Sequence, residues 1–220
     1  MFSTYVLAVF AAVASSVMAK DIDLKVCMNR HQNMRFEGHA YSFSLTNMGS
    51  DLDKDGTLHP RNATWLEARS FCLKNCMIPL SIQTEVEFSV IKSFMKKYKV
   101  PAVWTGGRIC DWHGCAEKLP LTTYGWFWAG HNTVIPATDV VPQGWSESPW
   151  SRKGHFGVRQ PDNAQYEISG VHELCLAIFD DAYEDGVKWH DVACYHEMPF
   201  VCEDSSKIIK AVKEKYGLDL

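Results

Sequence analysis

The sequence predicts an α+β domain stapled by disulfides, and three observations carry that expectation. Eight cysteines follow an apolar N-terminal segment, two helical stretches open with capping signatures, and short apolar runs separated by turns fill the C-terminal half. Paired cysteines suit a domain made for an oxidising compartment. With 220 residues, 46% apolar and 22% charged, the composition is ordinarily globular and long enough for one substantial domain or two small ones. The net charge is −4, with no basic block, which argues against a nucleic-acid partner.

Taken in order, Tyr5 to Val17 are almost all apolar, and Val17-Met18-Ala19 offers residues where a signal peptidase cuts. Residues 1–19 therefore read as a secretory signal peptide, and the expected location is extracellular. No later run is long enough to span a bilayer. Residues 20–36 form an N-terminal extension around Cys27, 37–204 the domain, and 205–220 a tail with a short amphipathic helix. Spacing alone leaves the pairing of Cys27, Cys72, Cys76, Cys110, Cys115, Cys175, Cys194 and Cys202 open. Export disfavours zinc at Cys72-x3-Cys76 or Cys110-x4-Cys115.

His39 to Thr46 alternates as a strand, with Tyr41, Phe43 and Leu45 on one face. Asp51-Leu52-Asp53-Lys54-Asp55-Gly56 resembles the start of a calcium loop, but Asn62 stands where the closing Glu belongs, so a polar turn is the expectation. Asn62-Ala63-Thr64 is a glycosylation sequon. Thr64-Trp65-Leu66-Glu67 and Thr84-Glu85-Val86-Glu87 are capping boxes that start two helices, the second carrying Phe88, Ile91, Phe94, Met95 and Tyr98 as an apolar stripe. Pro101 ends it. Cys72 and Cys76 lie one turn apart on the first helix, placed to reach two different partners. A strand starts at Ala102 and Gly106-Gly107 breaks it, while Cys110 and Cys115 bracket a small loop. Gly125 to Trp150, rich in Trp and Gly, reads as a long structured loop of functional type. Short strands follow at 173–179, 187–192 and 199–202.

The candidate site lies between Gln160 and Glu203, where Gln160, Asp162, Glu173 and Asp191 offer oxygen donors of the kind that hold calcium. The run Trp65-x-Glu67-Ala68-Arg69-x-x-Cys72, the Trp-rich middle, Gln160-Pro161-Asp162-Asn163, Glu173-x-Cys175, Trp189-x-Asp191-x-x-Cys194 and Phe200-Val201-Cys202-Glu203 resembles the C-type lectin domain. Within that family the chain is most similar to secreted arthropod C-type lectins with a Gln-Pro-Asp motif. The resemblance implies two helices, small antiparallel sheets and a long loop carrying the ligand site. It implies the disulfides Cys72–Cys202 and Cys175–Cys194, which leaves Cys110–Cys115 and Cys27–Cys76 for the remaining cysteines.

It also implies a calcium ion held by Gln160, Asp162, Glu173 and Asp191, with sugar hydroxyls completing the ion's shell and bonding the same side chains. The Gln-Pro-Asp order implies galactose-type sugars. Two positions depart from the family pattern. His190 stands where an amide ligand belongs, and imidazole nitrogen suits zinc or copper better than calcium. Ala164 stands where galactose-binding relatives place a stacking Trp, and Tyr166 is the nearest substitute. The expected function is a secreted, non-catalytic, glycan-binding protein. The alternative is a calcium-independent module for an extracellular protein or matrix, with His190 as a solvent-facing strand residue. No Ser-His-Asp, Cys-His or His-rich metal pattern has usable spacing for an enzyme.

Overall fold

The computed structural model describes residues 23–44, 61–111 and 115–220. The signal peptide, the Asp51–Gly56 turn and residues 112–114 inside the small disulfide loop lie outside them. The helices are α1 (Leu24–Met28), α2 (Trp65–Lys74), α3 (Glu85–Tyr98), α4 (Leu121–Tyr124), α5 (Ala164–Ser169) and α6 (Ser206–Tyr216). The strands are β1 (Met34–Phe36), β2 (His39–Phe43), β3 (Met77–Pro79), β4 (Ala102–Ile109), β5 (Trp126–Trp128), β6 (Thr133–Val134), β7 (Cys175–Asp180), β8 (Val187–Val192) and β9 (Val201–Asp204).

Two antiparallel sheets result, in the orders β1-β2-β9-β3 and β6-β5-β4-β7-β8. The α+β class and the two capped helices are as expected. Thr64 and Glu67 complete a reciprocal capping box on α2. At α3 the device is one-sided: Thr84 accepts from the Glu87 backbone N–H at 3.1 Å, but the Glu87 carboxylate turns inward. It accepts from the Tyr41 hydroxyl at 2.7 Å and from the Gln83 backbone N–H at 2.8 Å. Burial of the carboxylate is worthwhile only with such partners.

Three sequence expectations change. Gly106 and Gly107 do not break β4. The strand runs to Ile109, with a register shift between Trp104 and Arg108. The glycines permit close approach instead: a Cβ on Gly107 would meet the Leu176 Cβ at 2.7 Å, and one on Gly106 the Pro79 carbonyl oxygen at 2.9 Å. Cys76 is not on the first helix, which ends at Lys74; its backbone is left-handed, with φ of 59°. The stretch from Gly125 to Trp150 is not all loop, because β5 and β6 extend the second sheet through it.

The larger apolar core gathers Phe43, Leu80, Phe88, Ile91, Met95, Trp126, Trp128, Trp150, Leu176, Ile178 and Trp189 between α3 and the second sheet. A second cluster joins Trp65, Ala68 and Cys72 of α2 to Met77, Trp104, Ala177 and Phe200. All eight cysteines are paired, as Cys27–Cys76, Cys72–Cys202, Cys110–Cys115 and Cys175–Cys194. The second joins α2 to β9 across a sequence separation of 130. On the chain-entropy model such a closure contributes about 4–5 kcal/mol.

Residues 23–36 are woven into the first sheet, since β1 pairs with β2 and Arg30 makes a buried ion pair with Asp204 at 3.1 Å. At the other end α6 docks through Val212, which is fully buried. Beside that docking, the Glu203 carboxylate accepts from the Ser81 backbone N–H and meets His131 Nε2 at 3.1 Å. Burial pushes Glu203 up to about 7, reinforced by the nearby Glu87 carboxylate and opposed by His131. The hydrogen bond to Glu203 raises His131 in turn.

Candidate functional site

The site is built where β8 meets the segment 160–173. Every residue of β8 is buried, so Asp191 sits in the interior at 3% exposure. Its carboxylate accepts from the backbone N–H groups of Asp162 (3.1 Å) and Asn163 (2.8 Å). Gln160 is also buried, and its Oε1 accepts from the Asp191 backbone N–H at 3.3 Å. The Gln160–Pro161 peptide bond is cis. Asp162 Oδ1 accepts from Ala164 N–H at 3.1 Å, and Glu173 Oε2 from Gln165 N–H at 3.2 Å, at the start of α5. Asn163 Oδ1 accepts from the Glu173 backbone N–H at 2.9 Å. The loop is thereby laced to both flanking segments.

The lacing draws one oxygen each from Asp162, Glu173 and Asp191 to within 4.8 Å of one another. Like charges at that separation are costly away from water. Burial, then Glu173, pushes Asp191 up to about 8, against the Asn163 N–H bond. Burial, with Asp162 adding to it, raises Glu173 as well. Asp162 Oδ2 is buried with no hydrogen-bond partner among the described residues. A neighbouring glycine makes room for it: a Cβ on Gly154 would lie 2.0 Å from that oxygen and 2.2 Å from Gln160 Nε2. Converging hard oxygens, an unpartnered carboxylate atom and uncompensated negative charge fit a divalent cation of the calcium type. Gln160, Asp162, Glu173 and Asp191 are the residues that could hold it.

His190 is not part of this convergence. It is 5% exposed, so the solvent-facing expectation is corrected. Its ring packs edge-on to Phe179 at 5.0 Å and lies nearly parallel to Tyr183 at 5.5 Å. Burial pushes its pKa down to about 4, against a smaller opposing effect from Asp185. Burial thus favours the neutral imidazole, whose ring packs against Phe179 and Tyr183. Tyr166, on α5, stacks on His172 at 4.2 Å and is 44% exposed.

Two residues near the site escape sequence reasoning. Tyr183, in the turn between β7 and β8, is raised by burial and then by Asp162, Glu173 and Asp191, which places it in the field of all three. Nothing in its local sequence marks it. Gly154 is the other, and only the close approach identifies its role.

No family model matches the chain, and no curated protein is similar enough to count as a relative. Solved structures are similar to it. The human scavenger receptor C-type lectin carbohydrate-recognition domain is 19% identical, covering 78% of this chain and 95% of that one, with a TM-score of 0.49. The C-type lectin TC14 of the tunicate Polyandrocarpa misakiensis is 19% identical, covering 76% and 98%, with a TM-score of 0.47. The Kupffer cell C-type lectin receptor Clec4f, whose structure is trimeric, is 18% identical, covering 89% of this chain and 96% of that one, with a TM-score of 0.50. At such identity the likeness is one of architecture, and with the two sheets, flanking helices and disulfides already described it gives this chain the C-type lectin-like fold.

Proposed function

We propose that the protein is a secreted, non-catalytic carbohydrate-recognition module that binds galactose-type sugars through a calcium ion. The observation that carries this reading is the convergence of Asp162, Glu173 and Asp191 in one partly buried space. Gln160 and these three carboxylates would hold the ion, and the ion would offer its remaining positions to two sugar hydroxyls. The Gln160-Pro161-Asp162 order supports the galactose type by resemblance. Tyr166, exposed on α5, offers a ring face for the sugar's apolar side. Four disulfides suit an oxidising compartment, and residues 1–19 would direct the chain there. Asn62 is exposed and would accept a glycan.

Calorimetry with calcium, followed by galactose on the calcium-loaded protein, tests the reading. One saturable calcium site is expected, lost in Asp191→Asn, with galactose heat only when calcium is present. No calcium heat at neutral pH would overturn it. A second reading, a calcium-independent protein- or matrix-binding module, is favoured by one feature. Backbone N–H groups of residues 162 to 165 already satisfy part of the carboxylate capacity. Partner capture that survives a chelator would support that module.

A further inference from the structure

Asn163 is bonded to two of the carboxylate residues without being one of them. It is the N-cap of α5, with a left-handed backbone at φ of 50°. Asparagine is a favoured N-cap because its side-chain oxygen ordinarily accepts from an N–H of the first helical turn. Here the side chain makes no such bond. Its Oδ1 accepts instead from the Glu173 backbone N–H at 2.9 Å, 10 residues further along the chain. The N–H groups of the first turn go to the site: Ala164 donates to Asp162 Oδ1 and Gln165 to Glu173 Oε2. A local helix-starting role is thus given up for a contact that reaches Glu173.

The rest of the residue is committed to the same surroundings. The Asn163 backbone N–H donates to Asp191 Oδ2 at 2.8 Å, so one residue ties Asp191 to the backbone of Glu173. With Oδ1 engaged by an N–H, the amide orientation is settled, and Nδ2 is the donor towards His172 Nδ1, 3.1 Å away. That imidazole in turn stacks on Tyr166 at 4.2 Å. Asparagine is also among the few residues besides glycine that tolerate the left-handed backbone found here.

We propose that Asn163 is a positioning residue that holds Glu173 and Asp191 together for the cation before it binds. The proposal rests on the calcium reading and gives Asn163 no contact with the ion. Carboxylates that repel one another draw apart without a cation unless the segments carrying them are tied. Asn163 supplies such a tie, so less reorganisation is left for binding to overcome.

The test compares wild type with Asn163→Gly and Asn163→Asp, by amide exchange of the ¹⁵N-labelled protein in chelator and by calorimetry with calcium chloride. Glycine keeps the left-handed backbone and the N–H to Asp191 but removes Oδ1, whereas aspartate keeps an acceptor for the Glu173 N–H. In wild type the Glu173 amide is expected to be protected without calcium. In Asn163→Gly it should exchange about threefold to tenfold faster, the contribution of one hydrogen bond. Calcium should bind that variant about 10–100-fold more weakly, as when groups that orient metal ligands are lost. Asn163→Asp should keep the protection and bind calcium no more weakly than wild type. Added chain freedom at glycine accounts for a loss of about fivefold at most. A loss smaller than that, an Asn163→Asp variant as weak as Asn163→Gly, or a Glu173 amide that exchanges freely in wild type would each overturn the proposal. The wild-type measurement decides even where Asn163→Gly folds poorly. Absence of calcium heat from wild type would overturn the calcium reading and this proposal with it, whereas the other outcomes in a calcium-binding wild type remove only the role of Asn163.

Discussion

Gly154 decides whether the acidic groups can share one space. An added methyl there would overlap Asp162 Oδ2 and Gln160 Nε2, so both side chains would have to move. Gly154→Ala is expected to weaken calcium binding by about 10–100-fold, the usual cost of disturbing groups that orient metal ligands. The overpacking should lower stability by about 1–3 kcal/mol. Calorimetry and urea unfolding on the same sample would check both, and unchanged calcium affinity would refute the role. His190 leads to the opposite expectation. Its ring touches Phe179 and Tyr183 rather than the converging oxygens. His190→Asn should leave calcium affinity unchanged and cost about 1–3 kcal/mol from the lost aromatic contacts. A gain of calcium binding in that variant would show that the position can join the site after all. That Asp162, Glu173 and Asp191 come together was legible from their types and their place among the cysteines. Gly154 and Tyr183 were not: Gly154 matters through the room it leaves for Asp162 and Gln160, which no local pattern marks, and Tyr183 through the field of carboxylates on other segments.

Among the elements, sequence and structure agree where the cause is local. Thr64 with Glu67 starts α2, and the apolar stripe from Phe88 onward makes α3, as short-range chemistry dictates. They part where a remote partner decides. Glu87 looks like the second half of a capping box, yet it leaves the cap for the Tyr41 hydroxyl. The short β1, β3, β5 and β6 strands exist because neighbouring strands offer them ladders. Across the first sheet and the turn after β5, Glu203 and His131 form a titrating link. Glu203 has a folded pKa of about 7 against an ordinary 4.5, so its contribution is fully present below about pH 4.5 and lost as pH rises through about 7. Glu203→Gln should flatten that loss, an effect on the order of 2 kcal/mol. Asp191 acts with the same sign and His190 with the opposite one, so the readout is the difference between variant and wild-type denaturation midpoints across this window. Parallel profiles for the two proteins would rule the link out.

At the scale of the whole molecule, the disulfides and the proposed ion have separate tasks. Cys72–Cys202 ties the first capped helix to β9, and Cys175–Cys194 joins the start of β7 to the chain just beyond β8. These crosslinks hold the scaffold without any ion. The three carboxylates instead come from the loop at 162, the approach to β7 at 173 and β8 at 191, so a cation among them would fasten the loop to the second sheet. Calcium at about 100 times its dissociation constant should then add about 2.7 kcal/mol to stability. For a chain of this size that corresponds to a rise of about 5–11 °C in Tm. The unloaded protein should still melt cooperatively, because its cores and crosslinks do not depend on the ion. Local protection should follow the same geometry. Arg152, Lys153 and Arg159 are exposed on the segment leading into Gln160, and trypsin should cut there more slowly when calcium is present. Magnesium should do less, since it demands a tighter octahedron than converging carboxylates on a loop provide. Equal Tm and equal cleavage with calcium, magnesium and chelator would leave the carboxylates as loop-lacing groups alone, because an ion fastening those three segments must slow their opening.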